Sequence, residues 1–214
     1  MKLKKLLVMP VVAISILMVG CQKDVGSSNT ASTSSQVVLE SMDNNINYET
    51  VPVPEGGWTV EELAKTIRIN GKPIEMPFTI NSLGADYQFD ENVSSWDNKK
   101  GTLTSSLLYN NQPFATVMIY NAENGDFESS RLLDVVKIGV VSSDDNNLNK
   151  MFCINSVTIN TKCEDVKLAL GEPTKIDGSV WTYTDKKTND NAITLWIDDE
   201  KNTVKAVYFY FKTN

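Results

Sequence analysis

The sequence predicts an α+β protein built from two tandem repeats, each a short helical segment packed on a three- to four-stranded antiparallel sheet. The chain has 214 residues, of which 41% are apolar, and this is enough for one ordinary domain or two small ones. From Gly56 onward, short runs rich in β-forming residues recur along the chain. A short apolar strand followed by a helical segment that ends at glycine also occurs twice, which predicts an internal repeat.

The N-terminus is typical of a bacterial export signal. Residues 1–5 are basic and residues 6–19 are apolar, a run shorter than the about 20 residues that a membrane-spanning helix needs. Met18-Val19-Gly20-Cys21 resembles the lipobox of bacterial lipoproteins, in which cleavage falls before a cysteine that carries the lipid. This resemblance predicts a signal peptide over residues 1–20 and a lipid such as palmitate on Cys21. A plain anchor helix with an incidental cysteine is the alternative.

Residues 21–55 are predicted to form a flexible tether that follows the lipidated cysteine. Ser, Thr and Asn dominate this segment, and few of its side chains could join a core. The apolar patch Val37-Val38-Leu39 could add a strand or a helical turn, although a disordered spacer is the favoured interpretation.

Two similar halves follow the tether, the first over residues 56–148 and the second over residues 149–214. In the first half, a strand at 67–72 and a helical segment at 78–84 precede strands at 102–108, 114–120 and 135–141. In the second half, a strand at 157–162 and a helical segment at 166–171 precede strands at 180–184, 193–197 and 204–211. Residues 110–112 and 198–202 are expected to form hairpin turns.

Helix signals support this division. Thr161-Lys162-Cys163-Glu164 reads as a capping box, and Thr59-Val60-Glu61-Glu62 reads as another. In the second half, residues 166, 169 and 170 share one apolar helical face. Gly171 fits a left-handed residue at the helix end, and Pro173 blocks continuation of the helix.

The second half resembles a known family. Leu170-Gly171-Glu172-Pro173, Trp181-x-Tyr183 and Val204-Lys205-Ala206-Val207 resemble the SmpA/OmlA outer-membrane assembly lipoproteins, and equally the related β-lactamase-inhibitor-like fold. The resemblance implies a helix pair packed on an antiparallel sheet in each unit, with two tandem units forming one concave surface. It also implies either a role in assembly or maintenance of the cell envelope or, by fold analogy, inhibition of a secreted enzyme.

Composition excludes several classes of function. There is no histidine, which excludes a Ser-His-Asp or Cys-His nucleophile and a His-ligated zinc site. The chain has 20 Lys and Arg against 27 Asp and Glu, and removal of Lys2, Lys4 and Lys5 with the signal would leave 17 against 27. This acidic balance argues against nucleic acid as a partner, because phosphate binding needs clustered basic residues.

The acidic clusters do not predict catalysis or a metal site. Asp144-Asp145 and Asp198-Asp199-Glu200 fall in predicted turns that are open to water, which disfavours a two-carboxylate hydrolase. The segment 145–149 begins like a calcium loop, but Lys150 stands where the loop needs glycine and Ser156 where it needs glutamate. We therefore expect no enzyme activity, no metal and no cofactor.

Cys153 and Cys163 lie ten residues apart in a chain that should fold outside the cytoplasm. A structural disulfide is the favoured interpretation, since exported cysteine pairs commonly oxidise. Two unreactive thiols are the next alternative. Redox chemistry is the weakest, because the Cys-x-x-Cys spacing is absent.

Aromatic side chains indicate a candidate binding face. Alternation along the strands places Trp196 opposite its aliphatic neighbours, and it places Tyr208 and Tyr210 on a common face. Trp181 is expected in the core, and a core position is an equally weighted alternative for Trp196, since aromatic residues are common in strands. We therefore expect a lipid-anchored protein on the extracytoplasmic side of the bacterial cell membrane, which binds another extracytoplasmic protein without catalysis.

Overall fold

The computed structural model describes Ile46 and residues 48–122, 126–185 and 191–212. The predicted signal peptide, Cys21 and most of the predicted tether lie outside the described residues. Within the described part, no helix is both long enough and apolar enough to cross a bilayer.

The described residues form five short helices and twelve strands. The helices are α1 (Val60–Ala64), α2 (Ile80–Leu83), α3 (Phe127–Ser130), α4 (Asn146–Met151) and α5 (Cys163–Leu170). The strands in chain order are β1 (Ile67–Ile69), β2 (Lys72–Pro73), β3 (Phe78–Thr79), β4 (Tyr87–Asp97), β5 (Thr102–Tyr109), β6 (Gln112–Tyr120), β7 (Asp134–Val141), β8 (Phe152–Ile154), β9 (Lys175–Asp177), β10 (Val180–Thr184), β11 (Ala192–Asp198) and β12 (Thr203–Tyr210). The prediction of a mixed α+β fold with antiparallel sheets is confirmed.

The strands of both halves form one large sheet. Its order is β4-β5-β6-β7-β12-β11-β10-β9, with β3 also paired to β7, and every pairing is antiparallel. The pairing of β7 with β12 joins the two sets of strands. A second sheet, β2-β1-β8, pairs the short strand of the first half with that of the second.

The hairpins form where their turn residues predict. Asn110 and Asn111 have φ angles of 49° and 64°, and they connect β5 to β6 as a two-residue turn. Asparagine tolerates this left-handed backbone better than most residues, which is why such turns favour it. The six strands predicted between residues 102 and 211 all occur, with ends that differ by at most two residues.

Two predicted strands are wrong, and one strand was missed. The predicted strand at 67–72 is broken by a turn at Asn70 and Gly71, both at positive φ, into β1 and β2. Residues 157–162 form no strand, because the chain reverses at Asn155 and Ser156, both at positive φ, and β8 precedes that turn instead. The edge strand β4 was not predicted. Its alternation is interrupted between Asp90 and Ser94, where the pairing with β5 shifts register.

The capping box at α1 is confirmed, and the one at α5 is wrong. The Thr59 hydroxyl accepts from the Glu62 backbone N–H, and the Glu62 carboxylate accepts from the Thr59 N–H. At α5, Lys162 is the N-cap residue and makes no side-chain capping bond. The Cys163 N–H instead donates to the Asn202 carbonyl at 3.1 Å, so the turn between β11 and β12 satisfies the start of this helix.

One core lies between the large sheet and the layer of helices with the small sheet. The helix α5 packs its predicted apolar face into this core. Val166, Ala169 and Leu170 on that face are no more than 2% exposed. Gly171 ends the helix at φ 78°, a backbone conformation that favours glycine. Leu168, on the outer side of the same helix, is 75% exposed.

The folded unit begins before Gly56, so the predicted end of the tether at residue 55 is too late. The Tyr48 hydroxyl donates to the Lys150 carbonyl at 2.7 Å, and burial raises the pKa of Tyr48 to about 12. Val51 exchanges backbone hydrogen bonds with the Asn155 amide at 2.7 and 2.8 Å. We name residues 48–55 the N-terminal strap, because they lie against the turn after β8.

Candidate functional site: an aromatic face on the large sheet

The strands β7, β11 and β12 expose one side of the large sheet. On β11, Ile193, Leu195 and Ile197 point into the core and are at most 7% exposed. Trp196 points the other way and is 50% exposed, as its alternation predicts. On β12, Val207 and Phe209 are buried while Tyr208 and Tyr210 are half-buried on the side of Trp196.

Trp196 and Tyr208 form a ring pair on this exposed side. Their ring centroids lie 6.2 Å apart with an interplanar angle of 58°. The Lys137 ammonium lies 5.5 Å from the Tyr208 centroid, at a distance that permits a cation–π interaction. Three adjacent strands thus each contribute one member of a continuous group.

Gly139 creates the space that Tyr208 occupies. Gly139 on β7 pairs directly with Tyr208 on β12. A Cβ atom at Gly139 would lie 2.6 Å from two atoms of the Tyr208 ring, closer than side chains approach one another. The absence of a side chain at this position therefore lets the tyrosine ring lie over β7.

Tyr210 belongs to the same side of the sheet but has a different contact. Its hydroxyl lies 3.5 Å from the Tyr120 hydroxyl, and it pairs across the strands with Lys137. Val141 lies beyond Gly139 on β7 and is 53% exposed. We name this surface the aromatic face; it comprises Tyr120, Lys137, Gly139, Val141, Trp196, Tyr208 and Tyr210.

Four members of the aromatic face were not predicted from the sequence: Tyr120, Lys137, Gly139 and Val141. Alternation along β7 places Lys137, Gly139 and Val141 on one side of that strand. No local signal shows that β7 is the neighbour of β12, and this pairing brings them to Tyr208 and Tyr210.

Trp181 and Tyr183 lie on the opposite, helical side of the sheet. Tyr183 is 5% exposed and donates from its hydroxyl to the Gly171 carbonyl at 3.2 Å, and burial raises its pKa. The Lys167 ammonium on α5 lies 5.5 Å from the Trp181 centroid. Tyr183 belongs to the core, whereas Trp181, which was expected there, is only partly buried and packs against the core from its edge.

The two described cysteines are free and buried, so the favoured disulfide is not formed in the structure. Cys153 lies on β8, and its sulfur accepts a hydrogen bond from the Ser156 N–H at 3.1 Å. Cys163 opens α5 beside the turn between β11 and β12. Burial raises the pKa of Cys153 to about 12 and also raises that of Cys163, so neither thiol is activated as a nucleophile.

The acidic clusters serve local structure. Asp145 accepts a hydrogen bond from the Asn147 N–H and caps α4, so the segment that begins like a calcium loop is helical. Asp198 accepts hydrogen bonds from the N–H groups of Glu200 and Lys201 in the hairpin turn, and the bond from Lys201 is the main cause of its lowered pKa. Among the described residues, no group of three or more Cys, Asp or Glu side chains is placed to hold a metal ion.

A shallow cleft of about 590 Å³ lies on the helical side between α5 and the N-terminal strap. Thr50, Ser156, Lys162 and Leu168 are among its lining residues. The Thr50 hydroxyl donates to the Ser156 hydroxyl at 2.7 Å, and Lys162 lies 3.7 Å from the Glu164 carboxylate. The polar side chains of Thr50, Ser156 and Lys162 therefore already have partners within the protein.

Comparison with known proteins does not assign this chain to a family. No protein-family profile matches the chain, and no curated protein matches it. A solved structure of an extracellular protein containing a SCP domain from Bacillus anthracis str. Ames is similar, with a TM-score of 0.33 and 16% identity. The alignment covers 65% of this chain and 47% of that one, so this chain spans about half the length of that protein. A similarity this low supports no conclusion about fold or function.

Proposed function

We propose that this chain is a lipid-anchored extracytoplasmic protein that binds another protein through its aromatic face, without catalysis. The observation that carries the proposal is the Trp196–Tyr208 pair, which lies on the side of the sheet opposite the core with Trp196 half exposed. Tryptophan and tyrosine are the residues that contribute most often to binding hot spots, because large rigid rings bury much area at a small cost in entropy.

The packing that holds Tyr208 in place supports the same proposal. Tyr208 lies over Gly139 and beside the Trp196 ring, so its position is set before any partner arrives. A preorganised ring loses little side-chain freedom on binding, and more of the gain from burial remains as affinity. Exposed apolar area at Trp196 and Val141 is also a cost in water that a bound partner would remove.

The proposed organisation follows the sequence. Residues 1–20 act as a signal peptide, Cys21 carries the lipid, and the following residues lift the domain from the membrane. The halves 56–148 and 149–214 are proposed to be repeats that share the large sheet. The strand order supports this proposal, because β4 to β7 and β9 to β12 meet with their last strands paired.

The proposal of a non-catalytic role rests on the chemistry of the side chains. The chain has no histidine, and burial raises the pKa of both described thiols. The aromatic face itself consists of aromatic rings, one lysine, one glycine and an aliphatic side chain.

Photo-crosslinking in the membrane of the native bacterium tests the proposal. A photoreactive amino acid is placed at Val141, on the aromatic face, or at Leu168, on the helical side. Both positions are more than half exposed, so each tolerates the replacement, and Leu168 is the matched control. We expect a discrete protein adduct from position 141 and none of the same mass from position 168.

The variant Trp196→Ala, combined with the crosslinker at 141, identifies the contact. The adduct should decrease at least about tenfold, since loss of a hot-spot residue costs about 2 kcal/mol or more. An adduct that is equally strong from both positions, or that is unchanged in Trp196→Ala, would refute binding through this face.

A further inference from the structure

We infer that the segment recognised by the aromatic face is acidic and apolar, and that it places a carboxylate on Lys137 and an apolar side chain against Trp196. This inference rests on the proposed function and names the chemistry of its partner. It follows from the charge pattern of the face and from the surroundings of one lysine.

Lys137 has no anionic neighbour in the described part of the chain. No described carboxylate lies within ion-pair distance of its ammonium, whereas Lys100, Lys162, Lys167, Lys175 and Lys201 each pair with one. Its cross-strand neighbours, Tyr210 on β12 and Met118 on β6, are uncharged, and so is Gly139 on the same side of β7. Its described contact is the Tyr208 ring.

The face therefore presents a positive charge, although the chain as a whole has a net charge of −7. Lys137 is a half-buried residue beside the Tyr208 ring, and a ring compensates only in part for hydration that a cation loses when it is buried. A carboxylate that approached over Tyr208 would meet a positive charge that no other side chain of the face neutralises. The pair would be screened less than an exposed surface pair, because the rings exclude water from one side.

The geometry also specifies where the apolar group lies. Trp196, Tyr208 and Lys137 occupy β11, β12 and β7 in turn, so the exposed indole is at one end of the group and the ammonium at the other. Ala206, which is buried, pairs with both Trp196 and Val141, so the exposed Val141 side chain lies at the same apolar end of the face as the indole. A segment that crosses the strands would therefore contact the indole and the ammonium with different side chains.

Selection from a library of displayed random twelve-residue peptides tests the inference. The target is the soluble protein that starts at residue 45, immobilised at its C-terminus and compared with Trp196→Ala, Lys137→Glu and Lys150→Glu. Lys150 is an exposed lysine on α4, on the helical side, so its replacement makes the same charge change away from the face. Circular dichroism checks the fold, and Lys137→Met, which keeps an unbranched apolar stem beside Tyr208, replaces Lys137→Glu if that variant does not fold.

We expect peptides selected by the unmodified protein to carry Asp or Glu near an apolar residue at least about threefold more often than the unselected library. The enrichment in Asp and Glu should disappear with Lys137→Glu or Lys137→Met and persist with Lys150→Glu. Trp196→Ala should abolish the selection itself.

Two outcomes would overturn the inference, and they differ in what they say about the proposed function. Peptides that depend on Trp196 but show no preference for acidic residues, or keep it in Lys137→Glu, would overturn the acidic partner and leave protein binding by the face intact. An absence of any selection that depends on Trp196 would overturn both.

Discussion

The buried amide of Asn155 should be one of the most important side chains for stability outside the apolar core. Its Nδ2 donates to the carbonyls of Val51 at 2.8 Å and Ala169 at 2.7 Å, and its Oδ1 accepts from the Val51 N–H at 2.7 Å. Asn155 is 2% exposed. One side chain therefore fastens the N-terminal strap to the end of α5.

The magnitude follows from the three hydrogen bonds. Each contributes about 0.5–1.5 kcal/mol to the free energy of unfolding. Val51 is 48% exposed and can turn its backbone groups to water, and the Ala169 carbonyl keeps a bond from the Trp58 indole at 3.0 Å. We expect Asn155→Gly to cost about 2–3 kcal/mol and to lower Tm by roughly 4–12 °C for a domain of this size.

Glycine is the chosen replacement because Asn155 has a φ of 45°. Alanine at this angle would add roughly 1–2 kcal/mol of backbone strain and confuse the result. The control is Asn160→Gly, at an exposed asparagine with a φ of 68° whose side chain makes no hydrogen bond within the described part of the chain. It should change the free energy of unfolding by less than about 0.5 kcal/mol.

Urea unfolding followed by circular dichroism provides the measurement, in soluble proteins that start at residue 45 or at Gly56. The shorter protein lacks Val51, so Asn155→Gly should cost about 1–2 kcal/mol less in it than in the longer one. The reasoning is refuted if Asn155→Gly costs no more than Asn160→Gly, or if it costs the same at both lengths.

Three further predictions concern the thiols, the aromatic face and pH. In the soluble protein that starts at residue 45, Cys153 and Cys163 should react with a thiol reagent only after unfolding, and two thiols per chain should then be counted. If no thiol reacted after unfolding, the two cysteines would form a disulfide. Gly139→Ala should displace the Tyr208 ring, change the near-ultraviolet circular dichroism and destabilise by about 1–3 kcal/mol, whereas an unchanged spectrum would contradict the packing. Hydrogen bonds from the Thr59 N–H and hydroxyl lower the pKa of Glu62 from its ordinary 4.5, so its contribution to stability is present above that pH and is lost as the pH falls through the lowered value. Urea unfolding should therefore show that Glu62→Gln costs less stability at pH 3 than at pH 7, and equal differences at both would contradict this.

Local sequence determined the parts of the fold that depend on a few neighbouring residues. Alternation predicted that Trp196 points away from Ile193 and Leu195, because side chains on a strand point to opposite sides whatever the strand pairs with. The turn at Asn110 and Asn111 was also predictable from local sequence, because tolerance of left-handed backbone is a property of the residue type. Export and lipidation of Cys21 remain predictions from the sequence.

Tertiary structure decided the features that depend on residues far apart in the chain. The start of α5 is satisfied by the Asn202 carbonyl and not by Thr161, because the Cys163 N–H donates to a distant turn while the Thr161 hydroxyl accepts from the Thr158 N–H. The strap is held by Asn155, about a hundred residues away from it in the chain. Neither contact could be predicted from the residues that neighbour it in the sequence.

The aromatic face combines both kinds of information. The sequence by itself determined which side chains of β11 and β12 could lie outside the core. Only the pairing of β7 with β12 placed Lys137 and Gly139 beside Tyr208. Strand pairing is specified by the fit of whole faces and the register of backbone hydrogen bonds, and these properties belong to the assembled sheet and not to any segment of it.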